Sequence, residues 1–302
     1  MKEGQASRTA EYMALFRALE SARPPGERLF CDPLAVRFLR LPLSLLVRLA
    51  RLPLVRWIAL REIDRRGLGS RTSAVARTRV IDDAVAEALA EGVAQVVLLG
   101  AGFDARPYRL PALANVRVFE VDHPATGAAK RERLEAALGR LPEHVRFVAS
   151  DFRERGLREA MAAARFDPSL RTLFLWEGVT NYLDAASVDA ALRWFAEAAP
   201  GSRAIFTYVD RRVLDDPGAF EGTARLFAAL AAVGERWTFG LDPAGLPRFL
   251  AERGLALERD LGAAEYRALC WGPAARSLRG YEFYRLAQAR VPPRGELAAE
   301  VR

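Results

Sequence analysis

The chain has 302 residues and a mass of 33.4 kDa, with 51% apolar and 27% charged residues, which excludes a disordered chain and suits one large or two small packed domains. Lysine occurs only at Lys2 and Lys130, so 43 of the 45 basic residues are arginine, and 38 acidic residues leave a formal charge of +7. The arginines are scattered along the whole sequence, as a compositional bias distributes them, and do not form the clustered patch of a nucleic-acid-binding protein.

Two isolated cysteines, Cys31 and Cys270, give neither a disulfide framework nor zinc-ligand spacing, and two histidines, His123 and His144, exclude a His-rich metal centre. The charged first twenty residues lack the apolar run of a secretory leader, so a cytoplasmic protein is expected. Residues 1–68 read as helical pieces broken by Pro24-Pro25-Gly26, Pro33, Pro42 and Pro53. Within them, residues 41–60 (LPLSLLVRLARLPLVRWIAL) are the most apolar stretch. Arg48, Arg51 and Arg56 exclude a membrane-spanning helix there. The segment is expected to be a helical cap whose leucines and Trp57 face the core or the mouth of an active site; an amphipathic helix lying on lipid is the alternative.

From Ser70 the pattern becomes regular. Ile81, Val85, Ala88 and Leu89 recur at helical spacing up to Glu91-Gly92. The continuous apolar run VAQVVLLGAG follows, as expected of a parallel strand covered on both faces. Further strands are expected at 116–122, 145–151, 172–178 and 202–210, most of them separated by helices. The clearest of these helices sets Val188, Ala191, Leu192 and Phe195 on one face, starting near Asp184 or Ser187 and stopping before Pro200-Gly201. This alternation predicts an α/β fold with a parallel sheet and right-handed crossovers. A helical insertion is expected at 211–250, and closing strands at 255–261 and 281–289, the last half-exposed. The resulting divisions are a cap at 1–68, a core at 69–292 and a tail at 293–302.

The first strand runs into Gly100-Ala101-Gly102-Phe103-Asp104-Ala105-Arg106. Glycines at 100 and 102 permit a tight turn and close backbone approach to a ligand, although a GxGxxA loop alone also fits a dinucleotide site or an empty structural turn. Three carboxylates narrow the choice. Asp122, about twenty residues on at the end of the second strand, is placed to accept hydrogen bonds from ribose hydroxyls. Asp151, beside Phe152 at the end of the third, can accept from an adenine amino group while the ring contacts its face. Asp104 lies inside the loop, where it repels a pyrophosphate and attracts an ammonium or sulfonium group. That sign favours S-adenosyl-L-methionine over a dinucleotide.

With these pieces in place, the sequence resembles the leucine carboxyl methyltransferase family, in its bacterial branch of polyketide-type O-methyltransferases. The matching segments are Cys31-Asp32-Pro33-Leu34-Ala35, VARTRVIDD (75–83), LGAGFDARPYRL (99–110), VFEVDHP (118–124) followed by Lys130, Asp151-Phe152 and WEGVTNYL (176–183). The resemblance implies a Rossmann-like class I methyltransferase fold: a mostly parallel seven-stranded sheet with helices on both faces and a helical lid. It further implies that Arg77 pairs with the cofactor carboxylate, Gly100 lies against its methionine part, Gly102 is a cofactor-binding residue, and Asp122 holds the ribose. Asp151 and Phe152 would frame the adenine and Glu177 would face the ammonium group. Asp104 and Arg106 are expected among the cofactor-binding residues, and Lys130 and Tyr182 match patterned positions.

Methyl transfer from a sulfonium needs an aligned nucleophile and a dry site. A hydroxyl nucleophile usually needs a base, most often histidine, and neither histidine is placed to reach the methyl group. A carboxylate, with a pKa of about 4, arrives ionised. The histidine shortage therefore leans toward a small acid as acceptor, with Tyr182, Tyr208 or Asp210 available for a hydroxylated one. Trp176-Glu177-Gly178 lacks the Asn/Asp-Pro-Pro-Tyr pattern of enzymes that methylate the amines of nucleic acids. No nucleic-acid partner and no stable membrane insertion are expected.

Overall fold

The computed structural model describes residues 8–150, 156–216, 218–293 and 296, so the expected site positions Asp151 and Phe152 lie outside the described residues. The N-terminal part folds as α1 (Arg8–Ser21), α2 (Leu41–Leu49) and α3 (Pro53–Gly67), followed by the long α4 (Ser70–Ala90). Pro42 and Pro53 start helices, each standing in a first turn. A proline there has no intrahelical N–H bond to lose and brings a preset φ, so two of the expected breaks are beginnings.

The alternation then runs β1 (Gln95–Leu99), α5 (Arg106–Arg109), β2 (Arg117–Asp122), α6 (Pro124–Leu138), β3 (Val145–Ala149), α7 (Leu157–Ala163), β4 (Thr172–Trp176), α8 (Ala185–Ala196) and β5 (Arg203–Val209). After it come α9 (Arg212–Asp215), α10 (Thr223–Ala232) and α11 (Leu246–Ala251). The chain closes with β6 (Ala256–Leu261), α12 (Ala263–Trp271) and β7 (Tyr284–Arg290). Seven strands form one sheet in the order β3-β2-β1-β4-β5-β7-β6. Pairing is parallel from β3 through β5, and β7 runs antiparallel to both β5 and β6. This is the expected α/β sheet.

One strand differs from its reading. The pattern of residues 281–289 predicts a half-exposed strand, but β7 is an interior strand whose Leu286, Ala287 and Ala289 are completely buried. The edge on this side of the sheet is β6, with Glu258 and Arg259 in solvent. Polar Arg285 misleads the pattern: on β7 it is neutralised by Asp260 of β6, its Nη2 donating to Oδ2 at 2.8 Å.

Successive strand residues serve opposite faces, which explains the unbroken apolar run of β1. Val97 and Leu99 pack toward α8 and α11 with Phe174, Trp176 and Phe206. Val96 and Leu98 pack toward α4 and α12 with Leu173, Leu175 and Ile205. The start of α8 is set by Asp184, whose Oδ1 accepts from the Ser187 N–H at 2.7 Å. Its buried face carries Val188, Leu192 and Phe195, the last stacked on Phe174 at 4.4 Å. Each such side chain stabilises the fold by about 1.5–3 kcal/mol. A third cluster joins α1 to the loop after β1: Ala14, Leu15, Ala18 and Leu19 pack with Phe38 and Phe103, whose rings stack at 5.0 Å.

The outer side of α2 and α3 is unlike the expected cap. Leu41, Leu45, Leu49, Leu52, Leu54, Trp57 and Ile58 are all exposed, while Val47, Ala50 and Ala59 provide the buried contacts.

Candidate active site

Because β1 and β4 lie side by side with their crossovers leaving in opposite directions, their carboxyl ends open the crevice in which such sheets bind ligands. Gly100 follows β1 with φ +65° and Gly102 has φ +44°. A Cβ on Gly100 would come within 2.3 Å of Val179 Cγ2, and one on Gly102 within 3.7 Å of Ala10 Cβ. The loop is tied to the end of β2: the Gly102 N–H donates to Asp122 Oδ2 at 2.5 Å and the His123 N–H to Oδ1 at 2.7 Å. Burial raises the Asp122 pKa, and these two donors only partly offset it. Beneath the loop, fully buried Lys130 donates to Glu120 Oε1 at 2.8 Å and to the Ala101 carbonyl at 3.4 Å.

Glu177, just past β4, meets two arginines. Its Oε1 accepts from Arg77 Nε of α4 at 2.8 Å, and its Oε2 accepts from Arg106 Nη1 of α5 at 2.8 Å. Arg106 also donates from Nη1 to Asp104 Oδ2 at 2.5 Å, from Nε to Asp82 Oδ1 at 2.7 Å and from Nη2 to the Thr78 carbonyl. Its donors are thus committed within the protein, and the residue is 2% exposed. In this position Arg106 braces the Asp104 and Glu177 carboxylates. Burial works to raise the Asp104 pKa, but Arg106, Lys130 and Arg17 outweigh it and hold the group at about 2. Glu177 is likewise lowered, because Arg106 and Arg77 overcome the effect of burial. Arg77 is less committed. Its guanidinium lies 4.6 Å from the centre of the Tyr284 ring, and Nη2 faces Met13 Sδ at 3.8 Å.

The network continues to the N-terminal helix. Asp82 Oδ1 also accepts from Arg109 Nη2 at 2.7 Å, Arg109 lies 3.7 Å from Asp32, and Arg17 Nε of α1 donates to Asp32 at 2.9 Å. Arg17 Nη2 reaches the Phe103 carbonyl of the glycine loop at 2.5 Å. Four arginines therefore balance Asp32, Asp82, Asp104 and Glu177. Asp32, Asp82 and Arg109 stand in the segments that carried the resemblance, yet the sequence gives no sign of their pairing. Arg17 and Tyr284 had no signal beyond helical and strand patterning.

The structure brings Arg77, Gly100, Gly102, Asp104, Arg106, Asp122 and Glu177 together at the carboxyl ends of β1, β2 and β4. Tyr182 packs in the cluster that holds Tyr284, in edge contact with Trp237 at 6.4 Å; burial, first of all, pushes its hydroxyl well above the ordinary tyrosine range. Asp210 follows β5, and its carboxylate is taken by Arg212, whose Nη2 donates at 2.6 Å. Burial opposes that pairing, but the arginine lowers the Asp210 pKa overall. Tyr208 is fully buried and donates to Asp260 at 2.8 Å. His123 Nδ1 accepts from the Ala125 N–H at the start of α6, and His144 Nε2 contacts the Pro107 carbonyl at 3.1 Å.

Two surface clefts lie elsewhere. One of about 560 Å³ is lined by Arg65, Leu68, Phe220 to Arg225 and Arg279, and one of about 510 Å³ by residues between Arg131 and Arg165. Above the glycine loop, Val179 and α1 occupy the space, and Thr9 Oγ1 of α1 donates to Glu235 Oε2 at 2.7 Å.

Comparison with known proteins agrees with this geometry. Residues 10–196 match the family model "Leucine carboxyl methyltransferase". A Streptomyces coelicolor protein named "Putative S-adenosyl-L-methionine-dependent methyltransferase" is 38% identical over 72% of this chain and 74% of its own. A Streptomyces avermitilis protein of similar name is 35% identical over 87% of both. Among solved structures, a Thermobifida fusca methyltransferase described as putative superposes with a TM-score of 0.60 at 17% identity, covering 97% of each chain. That likeness shows the fold alone. The chain belongs to the leucine carboxyl methyltransferase family.

Proposed function

We propose that the chain is an S-adenosyl-L-methionine-dependent O-methyltransferase that methylates a carboxylate of a small, secondary-metabolite-like acid. The observation that carries the reading is the Arg77–Glu177 pair beside Asp104 at the β1/β4 crevice. The donor set fits the cofactor. A guanidinium and a carboxylate stand side by side for the two ends of an amino acid, and Asp104 disfavours any phosphate. Arg77 would hold the cofactor carboxylate, Glu177 its ammonium group, and Asp122 the ribose through lone pairs left after Gly102 and His123. Gly100 and Gly102 would border the methionine part, and Asp151 with Phe152 the adenine. When bound, S-adenosyl-L-methionine supplies a methyl group on a positive sulfur, open to in-line displacement.

The protein's own residues then align, exclude water and hold charge. Arg106 fixes the carboxylates and prevents their swinging toward one another's cation. The Thr9–Glu235 bond joins α1 to the 211–250 insertion, supporting a lid made from both. A carboxylate acceptor is favoured over a hydroxyl because both histidines are engaged elsewhere, Asp210 is paired with Arg212, and the Tyr182 hydroxyl is too weakly acidic to cycle as a base. Tyr182 serves in this reading as a wall of the acceptor site.

Titration calorimetry with S-adenosylhomocysteine tests the cofactor assignment. Wild type should bind, and Asp122→Ala should bind about 10- to 100-fold more weakly, the loss of charged hydrogen bonds. Failure of wild type to bind would refute the cofactor; equal affinity in the variant would refute the role of Asp122.

A further inference from the structure

We propose that the outer side of α2 and α3 is a docking surface for an anionic lipid bilayer, on which the protein lies without inserting a spanning helix. Among the described residues, ten large apolar side chains are exposed, and seven of them fall between Leu41 and Ile58. Leu41, Leu45 and Leu49 form an i, i+4, i+8 stripe on α2, Leu52 lies in the connecting turn, and Leu54, Trp57 and Ile58 share one side of α3. The opposite sides of both helices are apolar as well, with Val47, Ala50 and Ala59 buried. A surface helix normally turns polar residues outward, so helices apolar on two sides call for a second covering.

Charge decides what covers them. Residues 41–61 contain Arg48, Arg51, Arg56 and Arg61 and no acidic residue. None of these four is paired with a carboxylate among the described residues; the nearby ion pairs use Arg40, Arg65 and Arg66. Arg61 instead lies over the Trp57 ring, 5.2 Å from its centre. Elsewhere on the surface, exposed arginines such as Arg131, Arg193 and Arg248 sit one turn from a carboxylate. A two-fold contact with a second copy would set these four arginines against four more with no acid to offset them. An anionic membrane supplies both requirements at once: an apolar interior for the leucines and Trp57, and a negative surface for arginines that extend back to the headgroups. No helix of the described chain is long and apolar enough to cross a bilayer.

Vesicle flotation provides the test, with phosphatidylcholine vesicles alone and with phosphatidylglycerol added, at low and high salt. Wild type should float with the anionic vesicles, and high salt should release it. Arg48→Gln with Arg51→Gln should weaken partition by roughly fivefold per arginine removed. Leu54→Ser with Trp57→Ser should weaken it by about tenfold or more. Both variants should bind S-adenosylhomocysteine as wild type does, showing that the fold is intact. The proposal is overturned if wild type stays with the soluble fraction, or if it floats equally with neutral vesicles at high salt. It is also overturned if the face proves to hold a second copy, seen as a dimer that Trp57→Ser dissociates with no vesicle binding.

Discussion

Arg77 and Arg106 bring the same charge to the same carboxylate, but the protein holds them in different ways. Arg106 has spent its donors on Asp82, Asp104, Glu177 and the Thr78 carbonyl, whereas Arg77 gives Glu177 one bond and turns the rest of its fork toward Met13 and Tyr284. Their substitutions should therefore separate. Arg106→Met leaves three carboxylates without their shared cation and should cost about 3–5 kcal/mol of stability in urea denaturation. Arg77→Lys keeps the charge and loses the planar fork, so stability should change little while S-adenosylhomocysteine affinity falls about 10- to 100-fold by calorimetry. Asp104 adds a pH signature. Its folded pKa lies below the unfolded value of 3.8, at about 2, so its stabilising contribution is complete above pH 4 and is lost as pH falls toward 2. Wild type should lose about 1 kcal/mol from this group between pH 5 and 3, and Asp104→Asn should lack that increment. The sequence made the types and strand-end positions of these residues legible. Their partners were not legible, because Asp82, Asp32 and Arg17 reach the site through helix packing that no local spacing encodes.

Elements are legible where two faces are buried and obscure where a face has no obvious partner. The apolar run of β1 and the single apolar face of α8 each specify one environment, and both elements appear where the pattern places them. β7 carries Arg285 and Gln288 inside the sheet, where pairing with Asp260 and burial between two strands hide the polarity that suggests an exposed strand. In α2 and α3 the apolar residues surround the helix, so periodicity does not select the inner side. The tertiary cluster that Val47 and Ala50 share with Leu34 and Phe38 makes that choice, and helical spacing does not encode it. The turn after β1 gives a sharper element-level test. Gly100→Ala places a side chain at φ +65° and against Val179, and should destabilise by about 2–4 kcal/mol. Adding Val179→Ala should recover the steric part and leave the backbone part, as a double-mutant cycle by thermal or urea unfolding would resolve.

For the molecule as a whole, three uses of arginine stand out. Many exposed arginines sit beside a carboxylate one turn away, a solvated arrangement worth little to stability. Four buried or nearly buried ones, Arg17, Arg77, Arg106 and Arg109, form the charge network from α1 to Glu177. Arg48, Arg51, Arg56 and Arg61, on α2, α3 and the turn between them, have no acidic partner among the described residues, while Arg65 and Arg66 pair with Glu62. The shortage of histidine has the larger bearing on the proposed chemistry, since His123 accepts from the Ala125 N–H and His144 contacts the Pro107 carbonyl. The proposed function has the methyl acceptor arrive already ionised. It is tested most directly by incubating the protein with methyl-labelled S-adenosyl-L-methionine and panels of small carboxylic acids and phenols between pH 6 and 8. The expected result is a base-labile methyl ester, formed at a rate that changes little across that range. Base-stable methyl ethers from phenols with no ester, or binding of the cofactor with no transfer to any acceptor, would contradict it.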